Sequence, residues 1–375
     1  MPITTRASVL MKAPGRFETV ELDLDDPRQG EVMVKMAASG LCRSDDHLAT
    51  GDFLSGDRFP YLGGHEGAGV ITAVGPDTLG FEVGDHVVFS FVAACGLCEF
   101  CARGLSNLCD RGAMILSGAR PDDPTSYRTT YQGQDVPQLC GLGTFSEYTT
   151  VSVDSVVKIP KDIPLRVAAL VGCGVTTGWG SAANSAGIRP GDTVIVMGAG
   201  GVGVSAVQGA VHSGATNVVV ADPVAFKREM AQEFGATHAF ASIDEATAFA
   251  RSVTNGQGAD ATIVTVGVIK GEHVAQALAS VRKAGTVVVT AMGNLMEVGA
   301  PISLADLTLM QKRLQGSLFG ACNPKRDIPN LLRMYQAGQL KLDEMVTRTY
   351  TLDQIAEAYD DLHAGLNVRG VVVFD

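Results

Sequence analysis

The sequence predicts an α/β protein in which a β-rich part is followed by a doubly wound parallel sheet. The chain has 375 residues, 46% of them hydrophobic and 18% charged, so it is long enough for two domains and apolar enough to bury their cores. Its 44 glycines follow no three-residue period, which excludes collagen and predicts many tight turns. The pattern of apolar residues changes after Pro160, which indicates two kinds of structure in one chain.

Short strands and turns containing glycine or proline are predicted before Pro160. Residues 31–36 alternate polar and apolar side chains, as a half-buried strand does, and residues 70–74 and 86–89 are similar. This part of the chain is therefore expected to be mainly β-structure.

After Pro160, apolar β-branched runs alternate with helical stretches. Runs that are apolar on both faces are typical of parallel strands covered by helices on both sides. The predicted strands span residues 193–197, 217–221, 261–265 and 286–290, and the predicted helices between them span residues 204–213, 225–234 and 273–281. The tail adds helices at 328–336 and 352–362 and a strand at 370–374, and it belongs to neither part cleanly.

Charge and cysteine content limit the classes of function. The net charge is −11 and no basic cluster is present, which argues against a nucleic-acid partner. The first residues lack the apolar run of a signal peptide, and the uncharged stretches 167–188 and 193–211 are rich in Gly, Ser, Thr or Asn, which favours buried strands and turns over membrane spans. We therefore expect a cytoplasmic protein, in which eight cysteines suit metal binding or catalysis better than disulfides.

A glycine-rich loop joins the predicted strand 193–197 to the predicted helix 204–213. It matches G-x-G-x-x-G, with Gly198 at the tight turn, Gly200 where a pyrophosphate can approach the backbone, and Gly203 where the helix packs on the sheet. Asp222 ends the next strand, where a carboxylate binds ribose hydroxyls and repels a 2′-phosphate. A plain glycine turn is the alternative, but strand, loop, helix and acid in this order favour NAD binding.

Four cysteines lie close together in the sequence, at Cys95, Cys98, Cys101 and Cys109. Four thiolates can close a tetrahedral shell around zinc and leave no position for substrate, which predicts a structural zinc site. An iron–sulfur cluster is the alternative, but the compact ferredoxin spacing ends in Cys-Pro, whereas Asp110 follows the last cysteine here.

Three further segments each contain one candidate metal ligand, namely Cys42, His65 and Cys173. Taken singly, such a cysteine can be a small buried apolar residue, and such a histidine can be a satisfied turn residue. Together they supply the two cysteines and one histidine used where zinc keeps its fourth position open for water or substrate, which predicts a catalytic zinc in a cleft between domains. His65 lacks the E-x-x-H continuation of zinc proteases, and the G-x-S-x-G motif of serine hydrolases is absent from the sequence.

These motifs and their order resemble the zinc-containing medium-chain alcohol dehydrogenases, from about residue 7 to the C-terminus. The resemblance implies a GroES-like catalytic domain over residues 1–174 and 321–375 and a Rossmann NAD-binding domain over residues 175–320. It also implies two zinc ions per subunit, a homo-oligomer, and reversible oxidation of an alcohol to an aldehyde or ketone by hydride transfer to NAD. An edge-to-edge interface is expected at the predicted strand 286–290 and near Pro301.

The resemblance further implies roles for single residues. Glu66 would stand behind the catalytic zinc, and Asp45 would support its ligands. Ser44 would bond the substrate oxygen, and the proton would pass through the cofactor ribose to His47, because histidine exchanges protons near neutral pH. The implied cofactor contacts are Arg43 and Arg369 at the pyrophosphate, Gly198, Gly200, Gly201 and Gly203 in the loop, Lys227 near Asp222 at the ribose, and Thr177 and Val202 at the nicotinamide.

An apolar alcohol pocket is implied by a last set of positions, although each of them fits an ordinary core equally well. These residues are Phe91, Met114, Leu139 and Cys140. Such a lining favours aliphatic, aromatic or terpenoid alcohols over sugars. A long polar loop over residues 117–139 either walls this pocket or is a solvated surface loop.

A closer resemblance links residues 171–181, 222–229 and 255–260 to the actinobacterial nicotinoprotein branch, the N,N-dimethyl-4-nitrosoaniline (NDMA)-dependent alcohol dehydrogenases. It implies tightly held NAD that an external acceptor recycles in place, with mycofactocin as the cellular acceptor. The alternatives are a conventional alcohol dehydrogenase with exchanging NAD, and a glutathione-dependent formaldehyde dehydrogenase, which typically lacks a histidine at position 47. A zinc-independent quinone-reductase relative or a non-catalytic protein on this fold would have no reason to keep the zinc ligands, Ser44 and His47.

Overall fold

The computed structural model describes residues 3–53, 58–114 and 116–375, without the side chains of Ala113 and Met114. The chain divides into two compact units, residues 1–173 with 323–375, and residues 174–322. Each unit has its own sheets and its own core.

The strands and helices of the described residues are numbered in chain order. The strands are β1 (Ile3–Leu10), β2 (Phe17–Leu24), β3 (Glu31–Gly40), β4 (Tyr61–Leu62), β5 (Gly67–Val74), β6 (His86–Phe89), β7 (Thr129–Tyr131), β8 (Gln134–Val136), β9 (Tyr148–Ser152), β10 (Val156–Ile159), β11 (Thr193–Met197), β12 (Asn217–Ala221), β13 (His238–Phe240), β14 (Ala259–Val264), β15 (Val281–Val289), β16 (Arg313–Gly316), β17 (Val346–Tyr350) and β18 (Arg369–Val373). The helices are α1 (Arg43–Thr50), α2 (Glu99–Ala102), α3 (Leu165–Ala168), α4 (Gly174–Gly180), α5 (Gly201–His212), α6 (Ala225–Glu233), α7 (Ile243–Val253), α8 (Gly271–Ser280), α9 (Leu304–Leu309), α10 (Pro324–Gln336) and α11 (Ile355–His363).

The unit formed by 1–173 and 323–375 contains two sheets, with strand orders β4-β1-β2-β7-β8 and β10-β6-β5-β3-β18-β17, and β9 also pairs with β3. The tail returns to this unit because β18 pairs antiparallel with β3, Val371 opposite Gly40. Strand β3 is buried on both faces, with Lys35 as its one exposed residue, rather than half-buried as its alternating pattern predicts. Its central position in the sheet explains the difference, since it pairs with β5, β9 and β18. The predicted tail helix 352–362 is a 3₁₀ turn, Leu352–Gln354, followed by α11.

The polar segment 117–139 is anchored to the sheets rather than being a solvated loop. It contains the β7–β8 hairpin, which extends the first sheet by pairing with β2. Arg128 donates from Nε to Oε1 of Glu31 at 2.7 Å, and Arg120 donates to the same oxygen at 3.1 Å, with all three residues buried. Part of the polar composition of this segment therefore serves buried ion pairs.

Glu31→Gln should lower the free energy of unfolding by about 3 kcal/mol at neutral pH, because the buried Arg128 would lose its counter-charge. Burial alone would raise the pKa of Glu31, but Arg128, the Arg28 backbone N–H and Arg120 outweigh it and lower the pKa below its ordinary 4.5. The stabilisation is thus present above about pH 4.5 and is lost as the pH falls through the lowered folded-state value. Urea unfolding should show a gap between wild type and variant that is constant from about pH 7 to 5 and shrinks at lower pH.

The control for this prediction is Glu147→Gln, since Glu147 pairs with Arg6 at 3.4 Å while both side chains are more than a third exposed. Exposed pairs contribute about 1 kcal/mol or less. An equal, pH-independent loss in the two variants would show that the Glu31 carboxylate does not stabilise the fold through its charge.

Residues 174–322 form a six-stranded, fully parallel sheet with the order β13-β12-β11-β14-β15-β16. Every residue of β11 is buried, as the predicted apolar run requires, and α7 and α8 cover one face with Ile243, Ala246 and Leu278. The direction of strand addition reverses between β11 and β14, and such a reversal opens a crevice at the carboxyl ends of the strands. None of the helices in the described part of the chain is both long enough and apolar enough to cross a bilayer.

The sheet has two edge strands, β13 and β16, and the predicted strand 286–290 is neither of them. That strand is part of β15, which lies between β14 and β16 and is therefore paired on both sides. All four residues of β16 are exposed. The sequence analysis missed β16 because Arg313-Leu-Gln-Gly316 lacks the apolar run that marks a buried strand.

Candidate metal and dinucleotide sites

Cys42, His65 and Cys173 come together in the unit formed by 1–173 and 323–375. Cys42 precedes α1, His65 lies between β4 and β5, and Cys173 precedes α4. Their potential ligand atoms all lie within 4.8 Å of one another, and all three side chains are buried. Two sulfurs and one imidazole at this spacing fit zinc with a fourth position left open.

The protonation states of Cys42, His65 and Cys173 depend on one another. A hydrogen bond from the Cys173 thiol, the charge of His65 and the charge of Arg369 hold the pKa of Cys42 well below its ordinary value, although burial opposes them. The same bond and burial raise the pKa of Cys173 well above its ordinary value. Burial lowers the pKa of His65, but the negative charges of Asp45 and Cys42 outweigh it and raise that pKa well above its ordinary value. These shifts favour the thiolate of Cys42, and a metal ion would have to displace the protons of Cys173 and His65.

The carboxylate of Asp45 lies beside the His65 ring. Its Oδ2 lies 3.0 Å from Nδ1 of His65, and its Oδ1 accepts the backbone N–H of Gly64 at 2.7 Å. A carboxylate on one imidazole nitrogen leaves the other nitrogen for a metal and raises the basicity of the ring. This arrangement agrees with the supporting role that the resemblance implies for Asp45.

Glu66 and Arg369 form a buried ion pair behind this group, with Oε2 of Glu66 in contact with Nη2 of Arg369. Gly40 leaves room for the pair, since a Cβ there would lie 2.5 Å from that carboxylate oxygen. The Arg369 guanidinium thus lies on Glu66, while its Nε has no protein partner among the described residues.

Arg43, the other arginine expected at the pyrophosphate, donates from Nη1 to Oδ2 of Asp46 at 2.9 Å. Oδ1 of the same aspartate lies 2.8 Å from Nε2 of His363, which the sequence analysis did not identify.

Ser44 and His47 lie on α1, three residues apart and therefore on one face of the helix. Oγ of Ser44 is 3.8 Å from Sγ of Cys42, so this hydroxyl is next to the candidate metal position. The His47 ring is stacked on Phe53, and its Nδ1 lies 3.0 Å from Oδ2 of Asp52. Nε2 of His47 is buried without a partner in the described structure. The Asp52 side chain is 27% exposed, so it connects the buried imidazole to solvent.

The second candidate metal site is the four-cysteine lobe, the segment that contains Cys95, Cys98, Cys101 and Cys109. The four sulfur atoms lie within 4.8 Å of one another. Backbone N–H groups point at these sulfurs, from Leu97 and Cys98 to Sγ of Cys95 at 3.4 Å and from Cys101 to Sγ of Cys98 at 3.5 Å. Donors of this kind lower the pKa of Cys98 to about 7, whereas burial raises that of Cys109 to about 12. All eight cysteines of the chain are free of disulfides. The donor set and its geometry fit a tetrahedral zinc site.

The glycine loop joins β11 to α5, as predicted. Gly198 has a φ of 99°, and a Cβ at Gly203 would lie 1.9 Å from the carbonyl oxygen of Gly198, so both positions require glycine. A Cβ at Gly200 would contact nothing within 4 Å, which leaves the loop surface open at the start of α5. The loop therefore fits a pyrophosphate at a helix N-terminus.

Asp222 directly follows β12 and is tied to the loop. Its Oδ2 accepts the backbone N–H of Ala199 at 2.8 Å and its Oδ1 that of Val224 at 2.9 Å, which leaves further lone pairs for ribose hydroxyls. Lys227 lies on α6, and its neighbour Arg228 donates to the backbone oxygens of Asp222 and Pro223. The sequence analysis missed Arg228, because a single arginine in a predicted helix carries no signal by itself.

Helix α4 packs against α5, and each of the two helices carries one of the remaining candidates for a nicotinamide contact. The hydroxyl of Thr177 is buried without a partner among the described atoms. Trp179, the one tryptophan in the sequence, lies with its ring centroid 5.9 Å from that of His212 on α5. Val202 is in the first turn of α5 and is partly exposed.

The structure describes the side chains of three of the four residues expected to line an alcohol pocket. Phe91 and Cys140 line one cavity with Arg111 and Arg128, and the Phe91 ring packs edge-on against His65 with centroids 5.8 Å apart. Leu139 lies in a hydrophobic core with Leu10 and Phe17, against which Cys140 also packs. The side chain of Met114 lies outside the described residues.

Comparison with known proteins agrees with this geometry. Two family models match the chain, the alcohol dehydrogenase GroES-like domain over residues 28–161 and the zinc-binding dehydrogenase over residues 201–337. The NDMA-dependent alcohol dehydrogenase of Amycolatopsis methanolica is 52% identical over 369 residues, 98% of each chain. The putative alcohol dehydrogenase D of Mycobacterium tuberculosis is also 52% identical, over 98% of this chain and 99% of its own. Among solved structures, benzyl alcohol dehydrogenase from Acinetobacter calcoaceticus superposes with a TM-score of 0.91 at 28% identity over the full length of both chains.

Proposed function

Because the chain belongs to the zinc-containing medium-chain alcohol dehydrogenases, we propose that it oxidises an alcohol with an NAD molecule that stays bound between turnovers. The buried cluster of Cys42, His65 and Cys173 carries the proposal of alcohol oxidation. The 52% identity to an NDMA-dependent alcohol dehydrogenase supports cofactor retention, because that relative is named for an artificial acceptor. An external acceptor of the mycofactocin type would then reoxidise the bound cofactor.

Two zinc ions per subunit are proposed. Cys42, His65 and Cys173 would hold the catalytic ion, with Glu66 behind it, and the four-cysteine lobe would hold a structural ion. A zinc ion in the first site supplies a Lewis acid, which lowers the pKa of an alcohol by several units.

Ser44 and His47 would move the alcohol proton toward solvent. The hydroxyl of Ser44, 3.8 Å from Sγ of Cys42, is placed to accept a hydrogen bond from the alcohol. His47 would take up the proton on α1, with Asp52 orienting its ring through the contact at Nδ1. Ser44 and His47 would thus be the protein's two contributions to the proton path, and NAD would supply the hydride acceptor.

In residues 174–322, Gly198, Gly200, Gly201 and Gly203 would cradle the pyrophosphate. Asp222 would bind the adenosine ribose, which favours NAD over NADP. The further contacts proposed are Arg43, Arg369, Lys227, Thr177 and Val202. In the structure the two arginines already face the carboxylates of Asp46 and Glu66, so these acids would hold their positions when NAD binds.

His47→Gln should slow alcohol oxidation by about tenfold to a hundredfold near neutral pH, because glutamine cannot exchange a proton with solvent. Rates measured with saturating acceptor should recover as the pH rises from about 6 to 9, since hydroxide then replaces the missing base. Zinc content should remain equal to that of the wild type. An unchanged rate over this pH range would remove His47 from the proton path.

The proposal of a bound cofactor is tested by measuring NAD and NADH in the purified protein. The protein is purified without added nucleotide, passed through gel filtration and denatured, and the supernatant is assayed for both forms. About one equivalent per subunit is expected. Little or no nucleotide, together with NADH formation from added NAD, would identify a conventional alcohol dehydrogenase and would contradict cofactor retention.

The substrate class and the assembly state are also proposals. The Phe91 ring beside His65 favours an apolar alcohol over a polyol, and a preference for polyols over benzyl alcohol would contradict this.

A homo-oligomer is supported by the exposed edge strand β16 and by exposed apolar residues near it, such as Leu304 and Leu309. Sedimentation of a monomer at micromolar concentration would contradict the oligomer. The absence of disulfides among the eight cysteines supports a reducing compartment, the cytoplasm.

A further inference from the structure

A group of hydroxyl side chains lies at the carboxyl edge of the parallel sheet. Thr290 directly follows β15 and Ser317 directly follows β16, while Ser181 and Ser185 lie on a single π-helical turn after α4. Oγ of Ser181 is 2.8 Å from Oγ1 of Thr290 and 3.3 Å from Oγ of Ser317, and Oγ of Ser185 is 2.8 Å from the latter. π-helical turns of this kind occur frequently at functional sites.

The proton of the Ser181 hydroxyl determines the direction of these hydrogen bonds. Ser181 is fully buried, and its Oγ donates to the backbone oxygen of Thr177 at 2.7 Å. A hydroxyl has one proton, so toward Thr290 the oxygen of Ser181 can act only as an acceptor. Thr290 therefore donates its own proton to Ser181 and keeps only lone pairs for a further partner. Thr290 is partly exposed whereas Ser181 is fully buried, so Thr290 is the member of this pair that a bound ligand can approach.

The position of Thr290 in the sheet indicates which part of a dinucleotide it would meet. The two halves of such a sheet each hold one nucleotide, on either side of the reversal between β11 and β14. Asp222 follows β12 and marks the adenosine half. Thr290 follows β15 on the opposite side of the reversal, which is the nicotinamide half.

We propose that Oγ1 of Thr290, held as an acceptor by Ser181, receives a hydrogen bond from the carboxamide NH₂ group of the nicotinamide. This inference rests on the NAD binding proposed above and adds a residue that selects the cofactor head group. A fixed acceptor favours an amide, which has two donors, over a ketone, which has none. Thr290 is therefore a specificity-determining residue for the nicotinamide ring.

The test compares NAD with acetylpyridine adenine dinucleotide, in which a methyl ketone replaces the carboxamide. Holoenzyme is incubated with an equimolar mixture until the bound fractions are constant, and the bound nucleotides are quantified after denaturation. Wild type is expected to retain NAD in preference. Thr290→Val keeps the shape without the hydroxyl, and the NAD-to-analogue ratio should fall by about fivefold to tenfold, the effect of one hydrogen bond. Thr290→Ser should restore the ratio.

Ser181→Ala provides a second variant that leaves Thr290 in place. Without Ser181 as its acceptor, Thr290 can turn its proton toward the ligand and bond either carbonyl group, so the ratio should again fall. Thr262→Val is the control, because Thr262 is buried within β14 and its hydroxyl oxygen lies 2.6 Å from that of Ser280. Its ratio should equal that of wild type.

The outcomes separate this inference from the proposed function. A normal preference for NAD in both Thr290→Val and Ser181→Ala, with NAD still bound, would overturn the role of Thr290 and leave the proposed function standing. Failure of the wild-type protein to bind either nucleotide would overturn the proposed function and this inference with it. A lower total occupancy with an unchanged ratio would indicate a structural role for the hydroxyls and would also contradict the inference.

Discussion

Cys173→Ser should remove one zinc ion from each subunit and lower kcat by about 10³-fold. A zinc Lewis acid contributes several kcal/mol to the stabilisation of the transition state, and each 1.4 kcal/mol or so corresponds to about a factor of ten in rate. Serine is a poor zinc ligand because its hydroxyl stays protonated near neutral pH, whereas a cysteine at this site binds as the thiolate. Metal analysis of the purified variant, combined with turnover under saturating acceptor, measures both effects.

The matched control is Cys322→Ser. Cys322 is also buried, with 1% of its surface exposed against 6% for Cys173, and it belongs to neither candidate zinc site. Zinc content should therefore stay at the wild-type value in the control. If Cys173→Ser kept its full zinc content and its activity, the cluster of Cys42, His65 and Cys173 would not be the catalytic metal site.

The largest effect on stability is expected for Cys101→Ser, which should remove the other zinc ion and lower the melting temperature by about 10 °C. Zinc binding provides about 10 kcal/mol or more in small structural sites, and a loss of only part of this is enough for such a shift. The lobe has little apolar packing to replace it, because Leu97 is 90% exposed and Leu105 and Leu108 are both more than a third exposed.

Limited proteolysis shows where the structure is lost. Arg103 is exposed at the end of α2, so trypsin should cleave after it much faster in Cys101→Ser than in wild type. Cys322→Ser again serves as the control and should keep the wild-type cleavage rate. A Cys101→Ser protein with normal melting and an uncut lobe would mean that the four cysteines do not need a metal to hold this segment.

The sequence predicts those parts of the fold in which a local pattern determines the structure. The strands β11, β12 and β14, the loop from Gly198 to Gly203 and α5 lie where periodicity and motif place them, because they are buried or need glycine. The family and the two-part fold follow from the same motifs, and the matching family models confirm both.

The sequence does not predict elements whose structure depends on distant partners. Strand β13 has only three residues, and β16 is exposed along its length, so neither shows an apolar run. In the sequence, Arg120 and Arg128 have the pattern of surface residues in a polar loop. Only the fold shows that they are buried and that β3 places Glu31 beside them. In the same way, His363 is one of several surface-like histidines in the sequence, and only the fold places it 2.8 Å from Asp46.

The packing of Trp179 against α5 gives the protein a natural fluorescent probe. This is the one indole in the chain, and it lies on α4 beside the helix that starts at the dinucleotide loop. Reduced nicotinamide absorbs light at the wavelengths where tryptophan emits, whereas the oxidised ring does not. Emission from Trp179 should therefore fall while the cofactor carries a hydride and return when the acceptor removes it. Each half of the catalytic cycle could then be followed by light in unlabelled protein, in a single mixing experiment.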